Sequence, residues 1–181
     1  EEMNAEVYLA ANSKDQAKIS FGMCSNFVKS IDPVGKYLTP YRDRVNFDKM
    51  MSSLRVLAAD DSKLDGFNAS MYLLDEYHAA KTTKLKDVLQ SSQGMRDNPL
   101  GVIITTAGFD KLGPCYQYRT MCTEVLSGLK LDDSLFALIY SLDEGDDWKD
   151  ESVWIKSNPN LGVTVKPAYI RCLLYTSPSP R

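Results

Sequence analysis

The sequence has no long apolar run, few cysteines and a single histidine. None of its apolar runs approaches the roughly 20 residues of a bilayer-spanning helix, so no membrane span is predicted. Four cysteines without a CxxC pair exclude a disulfide scaffold, and one histidine excludes a zinc site of the usual spacing. Cys24, Cys115 and Cys122 fall in apolar helical patterns, which predicts reduced core thiols and fits a cytosolic protein.

The phosphate loop of nucleotide-hydrolysing proteins, GxxxxGK[ST], is also absent. Gly35-Lys36 is the only Gly-Lys pair, and it is followed by Tyr37, with Ser30 in the place of the first glycine. Backbone N–H groups and the lysine of that loop hold the triphosphate. We therefore expect the chain by itself to bind ATP poorly.

Charge of either sign is also modest. The net charge of −3 argues against a protein that binds nucleic acid by bulk positive charge. Apolar residues make up 44% and charged residues 25% of the chain, as in soluble globular proteins, and 181 residues fit one domain and perhaps part of another.

Short apolar runs alternate with amphipathic helical patterns along the chain. Strands are predicted at 6–11, 54–59, 71–74, 101–108 and 135–142, and helices at 13–30, 82–94 and 114–129. Residues 36–53 are predicted to be a loop, and 60–66 a turn-rich link. This alternation predicts an α/β fold with a mostly parallel sheet covered by helices on both faces.

The third predicted strand ends in two acidic residues. Met71 to Leu74 runs directly into Asp75-Glu76, the Walker B pattern of nucleotide-hydrolysing folds. A buried strand delivers both carboxylates to the carboxyl edge of the sheet, where ligands bind in open α/β folds. Asp75 could then hold Mg²⁺, and Glu76 could orient or deprotonate the attacking water. An ordinary polar strand end would give the same four apolar residues followed by Asp-Glu.

One helix further on, the next strand ends in Thr105-Thr106-Ala107-Gly108. In many helicase-like ATPases a similar turn follows this strand, with hydroxyls that sense the γ-phosphate and a glycine that permits a tight bend. Threonine also favours strands in general, so the turn alone is a weak signal. The two motifs in this order strengthen each other.

Two further residues have open interpretations. His78, two residues after Glu76, could link the nucleotide site to a moving element, as in Asp-Glu-x-His helicases, or could simply begin a helix. Gln16 lies three residues after Ser13, which is the spacing of a capping box. We favour this capping role for Gln16 over a role as a ligand.

In these motifs the chain resembles the large terminase subunits of tailed bacteriophages. The resemblance covers roughly residues 6–170 and is carried by the order and spacing of several modest segments. These are 7–11 with 16–18, Asp65-Gly66-Phe67-Asn68, 74–81, 104–108, 136–140, Asp143 to Trp148, Trp154 and Asn158 to Gly162.

The resemblance implies a P-loop NTPase-like α/β fold, present here incompletely, since the family's phosphate loop precedes the strand that 7–11 resembles. It implies ATP and Mg²⁺ as cofactors, Asp75 as the metal ligand, Glu76 as the catalytic residue, and Thr105, Thr106, Gly108 and His78 as coupling or sensor residues. The parent would be an ATPase that packages viral DNA and also an endonuclease, whereas this fragment alone is expected to be inactive.

The partners implied are double-stranded phage DNA, the portal protein, the small terminase subunit and further copies in a ring, in the cytoplasm of an infected bacterium at the prohead portal. No membrane partner is implied. No run of lysine or arginine marks a DNA track, so we expect the DNA-contacting surface to lie partly outside this sequence.

The same resemblance divides the chain into a partial ATPase domain at 1–130 and a strand and linker at 131–171 that leads to a nuclease domain expected to be missing here. Residues 172–181 do not fit the resemblance, and their two Ser-Pro pairs predict a non-native or disordered tail. The six carboxylates within 143–151 are predicted to form a solvated acidic loop, because glycine is missing where a calcium loop requires it. Trp148 and Trp154 are predicted to pack at the base of this connection. The alternatives are a DExH-type helicase fragment and a non-hydrolysing interaction domain with a decayed nucleotide site.

Overall fold

The structure is a computed structural model that describes residues 2–59 and 66–176. It divides into two compact units, Glu1–Glu124 and Val125–Arg181. In the first unit the strands are β1 (Glu6–Ala11), β2 (Thr39–Pro40), β3 (Arg44–Phe47), β4 (Ser52–Ala58), β5 (Ala69–Asp75) and β6 (Leu100–Ile104). Its helices are α1 (Lys14–Ile31), α2 (Lys84–Ser91) and α3 (Pro114–Leu126).

All six strands form one sheet in the order β2-β3-β4-β1-β5-β6. The four strands β4, β1, β5 and β6 run parallel, while β2 and β3 extend the β4 side as an antiparallel hairpin. The prediction of a mostly parallel α/β sheet is thus confirmed.

Helices cover both faces of the sheet, as predicted. On one face Leu9 and Val45 pack with Phe21 of α1. On the other face Tyr72 and Leu74 pack with the α2 residues Leu85 and Leu89, and with Tyr118 of α3. Alternate residues of β1 and β5 contribute to the two clusters, as the period of a strand requires.

The first strand and helix are formed as their sequence predicts. β1 spans Glu6–Ala11, and its last four residues are buried. Ser13 caps α1 by accepting a hydrogen bond from the backbone N–H of Gln16, and its hydroxyl donates to Gln16 Oε1 at 3.3 Å. Ser13 and Gln16 therefore interact at the start of α1 as the capping spacing predicts, with the Gln16 side chain bonded to the Ser13 hydroxyl.

The prediction of a loop at 36–53 was wrong, because this stretch contains β2, β3 and the start of β4. β2 has two residues and β3 has four, which is too short for an apolar period to be visible. Their order comes instead from tertiary contacts: Val45 is 5% exposed within the cluster under α1.

The predicted strand at 135–142 was also wrong. These residues show no strand hydrogen bonding, although the sequence has strand composition. A strand requires a hydrogen-bonded neighbour, and none of the described residues of the second unit forms a strand. The strand predicted at 101–108 is β6, and it ends earlier, at Ile104. Thr105 to Gly108 therefore form a turn that follows β6.

The described residues of the second unit include two α-helices, α4 (Trp154–Ser157) and α5 (Pro167–Thr176), and a 3-10 helix at Glu151–Val153 just before α4. Trp154 is buried, and its indole N–H donates to the carbonyl oxygen of Trp148 at 2.9 Å. Lys156 of α4 donates through Nζ to Asp143 and Asp146 of the acidic loop, which raises the pKa of the lysine and lowers that of Asp146.

Cys24, Cys115, Cys122 and Cys172 are all free thiols. Of the segment set apart as a tail, residues 172–176 continue α5, and 177–181 lie outside the described residues, as does most of the link predicted at 60–66. Among the described helices none combines the length and the apolar character needed to cross a bilayer.

Candidate functional site

The candidate site lies where β1 and β5 end side by side. These neighbouring parallel strands lead into helices on opposite faces of the sheet, since α1 follows β1 on one face and α2 follows β5 on the other. This divergence opens a crevice at the carboxyl edge, the usual place for a ligand in an open α/β sheet.

Asp75 is the last residue of β5 and lies at this crevice. Its Oδ2 accepts a hydrogen bond from the Ser20 hydroxyl of α1 at 2.9 Å, and its Oδ1 accepts one from the backbone N–H of Glu76 at 2.8 Å. A carboxylate held at both oxygens has a fixed orientation, so Asp75 is positioned before any ligand arrives.

Glu76 adopts a left-handed backbone conformation, with φ +53° and ψ +45°. Non-glycine residues rarely adopt it, because the Cβ atom crowds the following carbonyl. The amide of Asn12, just after β1, donates to the Glu76 carbonyl at 3.0 Å and supports the turn. The turn directs Tyr77 into the core, where burial raises its pKa to about 12.

The carboxylate of Glu76 has one shielded oxygen. Its side chain is 37% exposed, yet Oε2 has no contact with solvent and no hydrogen-bond partner among the described residues. His78 Nδ1 lies 2.9 Å from this oxygen, an ion-pair distance without the angles of a hydrogen bond. A bound water could therefore reach only the exposed part of the Glu76 carboxylate, because His78 and the surrounding residues cover Oε2.

His78 connects Glu76 to the threonine turn after β6. Thr105 Oγ1 accepts a hydrogen bond from the His78 backbone N–H at 2.9 Å. The ring Nδ1 lies 3.2 Å from Thr105 Oγ1 and 3.3 Å from Thr106 Oγ1. A Cβ atom added at Gly108 would lie 2.9 Å from His78 Cβ, so only glycine permits this approach.

The structure therefore brings together all six residues that the sequence singled out: Asp75, Glu76, His78, Thr105, Thr106 and Gly108. Sequence reasoning missed Ser20 and Asn12. Ser20 lies mid-helix, seven residues after the cap, and no motif marks it. Asn12 follows β1 directly, so its position at a strand end was the one available signal.

A shallow groove of about 280 Å³ opens at the same edge of the sheet. Asn12 and Ala59 follow β1 and β4, and the remaining lining residues come from the β5–α2 connection, including Lys81, and from the first turn of α2, including Lys84. Neither lysine forms an ion pair among the described residues. Positive charge thus lies at the same edge as the two carboxylates.

A magnesium ion fits this site only in part. Asp75 and the Ser20 hydroxyl supply hard oxygen atoms, which Mg²⁺ prefers. No group of three or more His, Cys, Asp or Glu residues in the described part of the chain could hold a metal by itself. This agrees with an ion that takes one carboxylate from the protein and its other ligands from waters and phosphates.

The fold and the site define the class of the protein as an α/β fold in which a strand of the Walker B pattern ends at the carboxyl edge of a mostly parallel sheet. The family model "Terminase large subunit, ATPase domain" matches residues 1–124, and "Terminase large subunit, endonuclease domain" matches 130–171. The chain belongs to the large terminase subunit family. The resemblance stated from the motifs is thus confirmed, and the family replaces the helicase alternative.

Two relatives illustrate the assignment. Protein YmfN of Escherichia coli (strain K12) is 45% identical over 101 residues, which cover 56% of this chain and 22% of that protein. The crystal structure of the HK97 bacteriophage large terminase superposes with a TM-score of 0.81 at 19% identity, over 97% of this chain and 36% of that one. This match shows the fold. The chain spans about a fifth of the length of Protein YmfN and about a third of the length of the HK97 large terminase.

Proposed function

We propose that this chain is part of a viral DNA-packaging motor in which ATP hydrolysis drives translocation of phage DNA into the prohead. The observation that carries the proposal is the pairing of Asp75 with Ser20 and of Glu76 with His78 at the carboxyl edge of the sheet. The match to the terminase ATPase family supports it. Endonuclease activity would belong to the nuclease domain of the parent protein, and the family model of that domain matches residues 130–171 of this chain.

Asp75 is the residue that would hold Mg²⁺, with Ser20 orienting its carboxylate. The ion, when bound with ATP, would neutralise charge on the phosphate oxygens. Glu76 would accept the proton of the attacking water or orient that water through the exposed part of its carboxylate. Because the described residues include no phosphate loop, the triphosphate would be held mainly by other parts of the parent protein.

The turn after β6 would couple the nucleotide to movement. Thr105 and Thr106 contact His78, and His78 contacts Glu76, so a shift of the catalytic carboxylate changes contacts at the end of β6. Gly108 allows the turn to lie against His78. This is a physical route between the site of hydrolysis and the loop that leads to α3.

In this proposal the partners of the parent are double-stranded phage DNA, the portal protein, the small terminase subunit and further copies of itself in a ring. The motor would act in the cytoplasm of the infected bacterial host, at the prohead portal. We also propose that the ATPase part extends to about residue 130 and is followed by the connection to the nuclease.

Glu76→Gln in the intact parent protein tests the function. The amide keeps the size of the side chain and cannot accept a proton, so we expect ATP binding to be retained and turnover to fall by about two orders of magnitude or more. Glu144→Gln, at an exposed acidic position, is the matched control and should leave turnover unchanged.

Unchanged turnover in Glu76→Gln would remove Glu76 from the mechanism. An intact parent that binds no ATP would favour the interaction domain with a decayed nucleotide site. The 181-residue chain alone should show no turnover, and activity that depends on Glu76 would contradict the division of labour proposed above.

A further inference from the structure

Two arginines lie directly opposite each other on the antiparallel strands β3 and β4. Arg44 of β3 pairs in register with Arg55 of β4, and both side chains are exposed. Directly opposite residues in such a pair have Cβ atoms about 5 Å apart, and like charges there destabilise the sheet. An arginine pair in this position therefore requires an explanation.

Both guanidinium groups project from the same face of the sheet. Val45, next to Arg44, packs in the cluster under α1, as do Leu54 and Val56 on either side of Arg55. Because successive side chains of a strand alternate, the two arginines point to the opposite face. Helices α2 and α3 pack on that face against a cluster that contains no residue of β2 or β3.

In the described part of the chain, Arg42, Arg44 and Arg55 form no ion pair. Arg55 Nε donates a hydrogen bond to the hydroxyl of Ser53. Glu6 lies in the adjacent strand β1, and its carboxylate accepts a hydrogen bond from the hydroxyl of Tyr8. Among the described residues, none of the three guanidinium groups is therefore committed to a carboxylate that an external anion would have to displace.

The surrounding segment is basic in an acidic chain. Residues 36–55 contain five lysines and arginines against two aspartates, whereas the whole chain has a net charge of −3. The guanidinium carbon of Arg44 lies 4.8 Å from the centre of the Tyr41 ring, and Arg42 lies in the exposed turn between β2 and β3. The sequence does not show this surface, because the arginines are eleven residues apart and meet only in the hairpin.

We propose that Arg42, Arg44, Arg55 and Tyr41, here called the arginine patch, bind the phosphate backbone of double-stranded DNA. Guanidinium groups make charge-assisted, bidentate hydrogen bonds to phosphate, and a bridging phosphate would remove the repulsion between Arg44 and Arg55. The choice of DNA as the phosphate carrier rests on the proposed function. The patch places part of the DNA-contacting surface within this chain.

Binding of a fluorescent 30-base-pair duplex to the 181-residue chain, followed by anisotropy between 50 and 200 mM salt, tests the proposal. The double variant Arg44→Gln/Arg55→Gln should bind about tenfold more weakly or worse, and the slope of log K against log salt should fall by about 2. Duplexes of unrelated sequence should lose affinity equally, since phosphate contacts carry no sequence information.

Two further variants keep the result interpretable. Arg44→Lys/Arg55→Lys retains both charges and should keep the salt slope. Lys29→Gln/Arg119→Gln is the matched control, because it removes two exposed charges elsewhere in the same unit, and Arg119 also lies over a tyrosine ring. This variant should bind the duplex as tightly as the parent chain does. Circular dichroism should show that the glutamine variant is folded, because it removes a repulsion.

The proposal is overturned if the unmodified chain does not bind the duplex at 50 mM salt, if the glutamine variant keeps its affinity and slope, or if the control loses as much. Selective binding of an acidic peptide such as polyglutamate in place of DNA would overturn it as well. The assay needs no nucleotide, so its outcome is separate from that of the ATP turnover test.

Discussion

His78 Nδ1 lies 2.9 Å from Glu76 Oε2, and the same nitrogen lies within 3.3 Å of the hydroxyls of Thr105 and Thr106. One imidazole nitrogen therefore joins the acidic end of β5 to the turn after β6. His78 and Thr105 are 27 residues apart along the chain. The parallel pairing of β5 with β6 brings them into contact. The distances make His78 the link between them.

The hydroxyl of Thr105 should contribute measurably to the stability of this link. Thr105→Val keeps the shape of the side chain but leaves the His78 N–H without its acceptor. We expect a loss of about 0.5–1.5 kcal/mol in the free energy of unfolding, measured with urea. Thr105→Ser should recover most of it, and Thr82→Val, at an exposed position, is the control. Equal stability of the valine and serine variants would contradict the role of the hydroxyl.

The backbone of Glu76 should store strain. At φ +53° glycine is more favourable than any residue with a Cβ atom. We expect Glu76→Gly to be more stable than Glu76→Ala by about 1 kcal/mol, measured by chemical unfolding. Within α2 the order should reverse, with Gln90→Gly less stable than Gln90→Ala by a similar amount. A glycine variant at 76 that is no more stable than the alanine variant would show that the turn carries no strain.

The contact of Gly108 with His78 leads to a further prediction. A Cβ atom at 108 would lie 2.9 Å from His78 Cβ and 3.3 Å from its carbonyl oxygen. We expect Gly108→Ala to destabilise the chain by about 1–3 kcal/mol and to shift the His78 ring signals in an NMR spectrum. Gly22→Ala, in α1 with no atom within 4 Å of the new methyl, should stabilise by up to about 1 kcal/mol.

If Gly108→Ala and Gly22→Ala change stability in the same direction, the close approach of the turn to His78 does not exist in solution. An unchanged His78 spectrum in a destabilised Gly108 variant would place the cost elsewhere in the turn.

The fold was predictable where one element has a clear period. β1 and α1 follow directly from the apolar run at 7–11 and the Ser13 cap, and β5 from four apolar residues before Asp75. The β2–β3 hairpin could not be predicted, since a two-residue and a four-residue strand carry no period and depend on pairing with β4. The strand predicted at 135–142 was wrong because amino-acid composition does not show whether a partner strand is present.

The candidate site shows the same division. Asp75 and Thr105 could be singled out from the sequence because each follows an apolar strand pattern, and parallel strands end at one edge of the sheet. Ser20 was not, because its position depends on how α1 rotates about its axis when Phe21 packs against Leu9. The register of Arg44 with Arg55 depends likewise on hairpin pairing, which single-sequence patterns do not show.

Asp32, the cap at the end of α1, should make stability depend on pH. The backbone N–H groups of Leu38, Tyr37 and Lys36 donate to its carboxylate and hold its pKa below the ordinary value. A group with a lowered pKa in the folded state contributes stability above its ordinary pKa, near 4, and loses that contribution as the pH falls through the folded value.

Asp32→Asn removes the charge and keeps an acceptor oxygen, so the variant should be less stable than the parent chain at pH 7. The difference should narrow steadily as the pH is lowered below about 5, because the parent carboxylate then becomes protonated. Urea unfolding between pH 2.5 and 7 measures both curves. Asp97→Asn is the control, since Asp97 accepts no hydrogen bond from the described residues. Parallel curves for Asp32→Asn and the parent chain would show that the three N–H donors do not favour the charged form.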